Sequence, residues 1–94
     1  MSKIHHMGGD RYAFRCPGCH CGHYFKANGT EEPQWNWNGN LDKPTLMPSI
    51  MVNRGTHTQC HSFITKGQIR FLADSKHGLS GMTVDLPDWE EDDV

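Results

Sequence analysis

The sequence lacks any long hydrophobic run. No stretch of its 94 residues approaches the roughly 18 consecutive apolar residues that a membrane helix requires. Residues 1–20 also lack the basic start and apolar centre of a secretory signal peptide. We therefore expect a soluble chain without a membrane segment that folds in the reducing cytoplasm, where disulfides are uncommon.

Apolar residues are scarce as well. Only 35% of the residues are hydrophobic and the mean hydropathy is −0.70, while the chain holds 10 Gly and 5 Pro. A chain of this length forms one small domain, because two separate cores would each be too small to fold. Burying so few apolar residues compensates poorly for the conformational entropy that the backbone loses on folding. The composition therefore predicts that something besides a hydrophobic core stabilises the fold.

Helical periodicity is absent too, since Gly and Pro recur every few residues between short aromatic or β-branched runs. This pattern predicts a mainly β, zinc-ribbon-like domain over residues 10–89, with short hairpins and little or no helix. Residues 1–9 are predicted to be a flexible arm and residues 90–94 a solvated acidic tail. The candidate strands are Arg11–Arg15, Cys21–Ala27, Gln34–Asn38, Ser49–Asn53, His61–Thr65, Gln68–Leu72 and Met82–Leu86.

Strong positive charge is the next absence. The net charge is −2, and six of the eleven acidic residues lie in residues 85–94. The remaining part of the chain carries nine basic residues against five acidic ones. That excess is weaker than nucleic-acid-binding proteins usually show, so charge alone favours no particular partner.

The clearest motif is Cys16-Pro17-Gly18-Cys19, which lies between two candidate strands. Two thiolates three residues apart on a tight turn can face one tetrahedral ion, and main-chain N–H groups of the turn can bond the sulfurs. Three cysteines within six positions of a cytoplasmic chain are unusual for inert buried thiols. The motif therefore predicts half of a zinc site.

The second half of the zinc site is expected from the hairpin that turns at Lys66-Gly67. A two-residue loop there places Thr65 opposite Gln68 and directs Cys60 to the apolar side, with His61 on the opposite face. A short turn after Ala73 then returns His77 to Cys60. We predict Zn²⁺ bound by Cys16, Cys19, Cys60 and His77. Three alternatives stay open, because Cys21, His23 or His61 could replace one of these ligands.

Two tryptophans stand in the middle of the chain, Trp35 and Trp37, and an extended segment would direct both to one face. One interpretation makes them cover a small core. The other makes them an exposed platform for a partner. Asp74 likewise has two interpretations, a turn residue or the acceptor that orients His77.

Several segments together resemble a family of small phage and prophage proteins of unknown function, whose members often carry the label ammonia monooxygenase. The resemblance spans about residues 12–89. It implies a phage origin and a metal site, and no established activity. Similar sequences have Gly directly after the second cysteine of the Cys-Pro-Gly-Cys motif, where this chain has His20. The matching segments are residues 14–19, 35–40, 44–50, 60–64 and 77–89, among which Cys16-Pro17-Gly18-Cys19 and Cys60-His61-Ser62-Phe63-Ile64 are the distinctive ones.

Three functions follow from these residues. The leading hypothesis is a zinc-stabilised β module that binds a protein, such as a host factor, through the loop Trp35–Ile50. The first alternative is a nucleic-acid-binding zinc ribbon that uses Arg11, Arg15, Lys26, Lys43 and Arg54. The second is a small zinc hydrolase with an open metal position, in which His61 or Asp74 is the general base. The exposed sheet edge of so small a domain also makes a homodimer conceivable.

Overall fold

Eight short strands in two antiparallel sheets make up the protein, in a computed structural model that describes residues 2–89. The first sheet has the order β1-β2-β3, from β1 (His5–Gly8), β2 (Arg11–Cys16) and β3 (Cys21–Lys26). No residue in this described part is helical. Accordingly, residues 2–89 contain no helix that is long and apolar enough to cross a membrane.

The second sheet has five strands in sequence order, each antiparallel to its neighbour. The first strand of this sheet pairs with the second at only two positions, Asn36 with Met47 and Trp37 with Leu46, so within residues 2–89 most of the second strand has no partner on that side. The strands are β4 (Asn36–Trp37), β5 (Leu46–Val52), β6 (Cys60–Thr65), β7 (Gln68–Phe71) and β8 (Thr83–Asp85).

The prediction of a small, mainly β fold without helix is confirmed over these residues. All seven candidate strands contain or overlap an observed strand. The flexible arm expected over residues 1–9 needs correction, because His5–Gly8 pairs with β2 and Ile4 is buried in the core. The polar His5-His6 sequence gave no strand pattern, since an edge strand can be largely exposed. The expected acidic tail, residues 90–94, lies outside the described residues.

Side chains from both sheets share one core cluster. The first sheet contributes Phe14 and Phe25. The second sheet contributes two residues from each of β5, β6 and β7, namely Leu46 and Ile50, Cys60 and Ile64, and Ile69 and Phe71. Trp35 and Trp37 are half-buried and pack against this cluster, which favours the core interpretation of the two indoles. The period of two that alternates buried and exposed residues along β6 therefore places Cys60 inside and His61 on the outer face.

The hairpin between β6 and β7 has the predicted register. Thr65 pairs with Gln68 and Ile64 with Ile69 across a two-residue turn. Lys66 and Gly67 both have positive φ, at 50° and 81°, as the mirror-image turn favoured in hairpins requires. The other face of this hairpin carries His61 and Phe63, and this arrangement sets the positions of the functional side chains described below.

The pairing of β5 with β6 contains a large bulge. Leu46 pairs with Ile64, but Ile50 pairs with Ser62, so β5 advances four residues while β6 advances two. The two additional residues fall within Met47-Pro48-Ser49, where Pro48 follows a cis peptide bond. Bulges of this kind redirect side chains locally. Here the bulge carries Ser49, and the indole N–H of Trp35 donates to the Pro48 carbonyl at 3.1 Å.

Candidate active site and metal centre

Four side chains from three separate segments meet at one point on the inner side of the fold. They are the predicted set, Cys16, Cys19, Cys60 and His77, and their ligand atoms all lie within 4.8 Å of one another. Cys16 ends β2, Cys60 begins β6 and His77 follows the turn after β7. Three sulfurs and one imidazole nitrogen form the donor set that structural zinc commonly takes.

The separations fit a tetrahedral ion. Zinc–sulfur bonds of about 2.3 Å and zinc–nitrogen bonds of about 2.0 Å place two sulfurs about 3.8 Å apart and a sulfur and a nitrogen about 3.5 Å apart. The sulfurs of Cys16 and Cys60 are 3.9 Å apart, and Cys60 Sγ lies 3.4 Å from His77 Nε2. The residues present therefore suit a zinc ion at this point.

Neighbouring groups orient these ligands. The main-chain nitrogen of Leu79 lies 3.2 Å from His77 Nδ1, so Nδ1 faces the main chain and Nε2 faces the sulfurs. The Cys19 N–H donates to Cys16 Sγ at 3.3 Å, as expected for main-chain groups of the Cys-Pro-Gly-Cys turn. Gly18 makes room for the imidazole, because a Cβ on Gly18 would lie 2.3 Å from His77 Cε1. His20 adopts the left-handed conformation, at φ 59°, so the turn forms without the glycine of similar sequences.

The thiols also perturb one another electrostatically. A hydrogen bond from Cys60 lowers the pKa of Cys16 to about 4, against the opposing effect of burial. The same hydrogen bond raises the pKa of Cys60 far above the ordinary thiol value. Burial raises the pKa of Cys19 to about 11. Three neighbouring thiols cannot all ionise beside one another without a compensating cation.

None of the three alternative ligands belongs to the set whose ligand atoms lie within 4.8 Å of one another. Cys21 is exposed at the start of β3. His23 is buried with its ring edge-on to Phe14 at a centroid distance of 5.6 Å, and it hydrogen-bonds to Cys16 beside the cluster, which contributes to the lowered pKa of that thiol. His61 lies on the opposite face of β6 from Cys60 and is engaged there by other groups.

A second constellation surrounds His61 on the outer face. The imidazole Nε2 lies 2.8 Å from the hydroxyl oxygen of Ser49. The imidazole Nδ1 lies 3.1 Å and 3.2 Å from the two carboxylate oxygens of Asp74. One ring therefore connects a hydroxyl on one side to a carboxylate on the other. This is the connectivity of a serine nucleophile, its general base and the acid that orients the base.

Each member of this constellation comes from a different structural element. The bulge in β5 carries Ser49, strand β6 carries His61, and the turn after β7 carries Asp74. His61 is directed outward because the neighbouring Cys60 is directed inward. The ring is half-buried, while Asp74 is exposed.

Further hydrogen bonds fix Asp74 and His61. The amide of Gln59 donates to the Asp74 carbonyl at 2.9 Å and to its carboxylate at 3.3 Å. The hydroxyl of Ser75 accepts from the His61 N–H at 3.0 Å and donates to the His61 carbonyl at 2.9 Å. Residues 59–61 and 74–75 are thus held together directly beside the Cys60 and His77 ligands.

The sequence had placed these residues differently. His61 and Asp74 were considered as a general base for a zinc hydrolase, and Asp74 as the acceptor for His77. Asp74 instead contacts His61, while His77 Nδ1 faces the main-chain nitrogen of Leu79. Ser49 was not recognised as functional, because it sits in no nucleophile motif and is positioned only by the bulge. The one available signal was Pro48, since proline within a strand indicates a bulge or an edge.

Fold and site together define a small all-β domain that combines a Ser–His–Asp constellation with a Cys₃His cluster. A family model described as "Bacterial ubiquitination-like system serine protease (BubE)" matches residues 2–72. The chain belongs to this family. The match includes Ser49, His61 and the three clustered cysteines, and it ends before Asp74 and His77.

Other comparisons add nothing to this assignment. No curated protein and no solved structure matches the chain. The family description does not mention phages, so the phage origin implied by the sequence resemblance stays a prediction.

Proposed function

We propose that this protein is a serine protease in which Ser49 is the nucleophile, His61 the general base and Asp74 the residue that orients His61. The observation that carries the proposal is the pair of contacts on one imidazole, 2.8 Å to Ser49 and 3.1 Å to Asp74. The description of the matching family names the same class of enzyme. That description also supports a substrate belonging to a bacterial ubiquitination-like system.

Acylation follows from the geometry. As the Ser49 oxygen attacks the scissile carbonyl, its proton moves to His61 Nε2. The Asp74 carboxylate accepts the hydrogen bond of Nδ1–H and stabilises the imidazolium that forms. His61 then returns the proton to the leaving amine as the C–N bond breaks, which leaves an ester between the substrate acyl group and Ser49.

Deacylation repeats these roles with water. His61 takes a proton from a water molecule as the water oxygen attacks the ester, and it gives the proton back to Ser49 when the C–O bond breaks. The products are a free carboxylate and regenerated enzyme. No oxidant or reductant enters either half of the cycle.

The Cys₃His cluster has a structural role in this proposal. Cys16, Cys19, Cys60 and His77 would hold zinc, and four protein ligands leave no position for a reactive water. When bound, the ion supplies a cross-link between β2, β6 and the turn after β7. This arrangement disfavours the zinc hydrolase considered from the sequence, in which the metal itself activates water.

The other functions inferred from the sequence stay predictions. Binding of a protein partner or host factor is compatible with a protease, because a protein substrate is itself a partner. Neither nucleic-acid binding nor homodimerisation draws support from the family description.

Covalent labelling tests the proposal. An alkyl fluorophosphonate should modify the folded protein at one site, and mass spectrometry of the digest should locate the adduct on Ser49. Ser49→Ala should abolish labelling and lower hydrolysis of an ester or peptide by about 10⁴-fold or more. The matched control is Ser80→Ala, since among the described residues the Ser80 hydroxyl bonds only the main-chain carbonyls of Leu72 and Ala73.

Two results would contradict the assignment. One is a folded, metal-loaded protein that does not react with the fluorophosphonate. The other is an adduct on a serine other than Ser49, or labelling that persists in Ser49→Ala.

A further inference from the structure

A shallow cavity of about 380 Å³ lies on the outer face of the second sheet. It is formed by residues at the far end of β6, by β7 and by β8. Its lining is Phe63, Thr65, Lys66, Gln68, Arg70 and Thr83.

This cavity lies on the same face as the proposed nucleophile. Phe63 follows His61 by two residues on β6, so their side chains point to the same side, about 6.6 Å apart along the strand. Phe63 pairs with Arg70, which in turn pairs with Thr83, so these three residues form the neighbouring cross-strand row. An extended peptide advances about 3.3 Å per residue, which places the row about two residues from the scissile bond.

The charges of this cavity favour an anion. Among residues 2–89, neither the Arg70 guanidinium nor the Lys66 ammonium takes part in an ion pair. The nearest acid along the strand pairs, Asp85, accepts a hydrogen bond from Gln68 at 3.2 Å. Phe63, 37% exposed, provides an apolar wall for the methylene groups of a side chain. Together these groups match a carboxylate carried on a short aliphatic stem.

A larger cavity is less well placed. It measures about 600 Å³ and is lined by Met7, Arg11, Tyr24, Phe25, Lys26, Pro33 and Trp35. Most of these residues belong to the first sheet, away from His61. Of its two basic residues, Arg11 and Lys26, Lys26 also pairs with Glu31 at 3.9 Å. The smaller cavity instead includes Phe63, which lies on the same face of β6 as His61.

We infer that this smaller cavity is a substrate subsite that receives an acidic side chain, Asp or Glu, about two residues from the scissile peptide bond. The inference rests on the proposed protease function, because it assigns a substrate class to that same site. Arg70 is the specificity-determining residue because it lies in the row with Phe63, and Lys66, at the turn beyond that row, is a weaker contributor.

Competition against the fluorophosphonate tests this subsite without requiring turnover. Two ten-residue peptides share an Ala/Ser background, one with Glu and the other with Lys at every third position. The Glu peptide should slow the labelling of Ser49 about two- to fivefold more than the Lys peptide, the range expected for one exposed ion pair. The preference should weaken with added salt, because surface charges are screened.

Arg70→Glu should reverse the preference between the two peptides, and Lys66→Glu should reduce it. Lys43→Glu is the matched control, because it makes the same change in net charge at an exposed loop position outside the cavity lining. The control should keep the native preference. If Arg70→Glu does not fold, Arg70→Gln replaces it and should remove the preference rather than reverse it.

The outcomes separate this inference from the protease assignment. If Ser49 is labelled but both peptides compete equally, or Arg70→Glu and Lys43→Glu behave alike, the subsite is wrong and the protease stands. If Ser49 is never labelled, the protease assignment fails, and the subsite fails with it.

Discussion

The two faces of strand β6 carry different chemistry on adjacent residues. Cys60 faces inward to a cluster of sulfurs and an imidazole, while His61 faces outward to a hydroxyl and a carboxylate. The same pairing recurs beyond β7, where Asp74 belongs to the outer group and His77 to the inner one. The inner cluster therefore joins the two segments on which the outer triad depends.

The triad should depend on the inner cluster, whereas the inner cluster should not depend on the triad. Loss of the inner cluster should release both segments and so disorganise the triad. Loss of a triad side chain should leave the inner cluster intact, because Ser49, His61 and Asp74 contribute no ligand atom to it. Variants of the two faces therefore provide a direct test of this relationship.

The largest effect is expected from Cys60→Ser. Zinc content should fall from one ion per chain to well below one, and cooperative melting should be lost, because metal binding supplies much of the folding free energy of small domains. Hydrolysis and labelling of Ser49 should disappear together with the fold. Metal analysis, circular dichroism during heating and fluorophosphonate labelling measure the three effects.

Cys21→Ser is the control for this variant, because Cys21 is an exposed cysteine outside the cluster. It should keep the metal, the melting transition and the labelling. A Cys60→Ser protein that melts cooperatively without metal and still hydrolyses substrate would show that the two faces are independent.

The second effect, on the outer face alone, is expected from Asp74→Asn. The asparagine NH₂ can donate to Nδ1 where the carboxylate accepts, so His61 takes the tautomer with its proton on Nε2 and kcat should fall by about 10³- to 10⁴-fold. Stability should change by less than about 1 kcal/mol, since Asp74 is exposed and surface ion pairs contribute little.

Metal content distinguishes the interpretations of Asp74→Asn. The variant should retain a full equivalent of zinc, which would support the one-way dependence between the faces. Release of zinc would instead place Asp74 in the support of His77, as the sequence had suggested.

The two faces also differ in how far the sequence predicts them. The Cys-Pro-Gly-Cys spacing indicates a metal site by itself, and the Lys66-Gly67 turn fixes the register that directs Cys60 inward. The structure brings the four predicted side chains together, and zinc binding remains to be measured. Seven strands were located in advance, whereas β1 was missed because its polar residues show no alternation.

The sequence offers His61 and Asp74 as candidate bases, but Ser49 and the assembly of the three residues are not predictable from it, for a physical reason. Which residue of β6 lies opposite Ser49 depends on the two-residue bulge in β5. No local sequence pattern gives the length of that bulge. Asp74 contacts His61 only because Gln59 and Ser75 fold the turn back onto β6. Ser, His and Asp are common residues, and here they are far apart in the sequence and meet only through strand pairing. They therefore form no motif with a recognisable spacing.

The smallest effect tests the contact between the turn and β6. Gln59 joins them, since its amide donates to Asp74 and its carbonyl oxygen accepts from the Gly55 N–H at 2.8 Å. Gln59→Leu should lower kcat about tenfold with little change in KM, because a hydrogen bond to a charged group contributes about 1.5 kcal/mol or more. Gln59 is a positioning residue, so the far-downfield proton resonance of His61 Nδ1–H should broaden or shift as the carboxylate loses its orientation.

Gln34→Leu is the matched control, because it removes an amide that donates to Asp10 at 3.0 Å on the other sheet. If both variants reduced kcat equally while the His61 resonance stayed unchanged, Gln59 would contribute only to general stability, and the metal cluster alone would hold Asp74 beside His61.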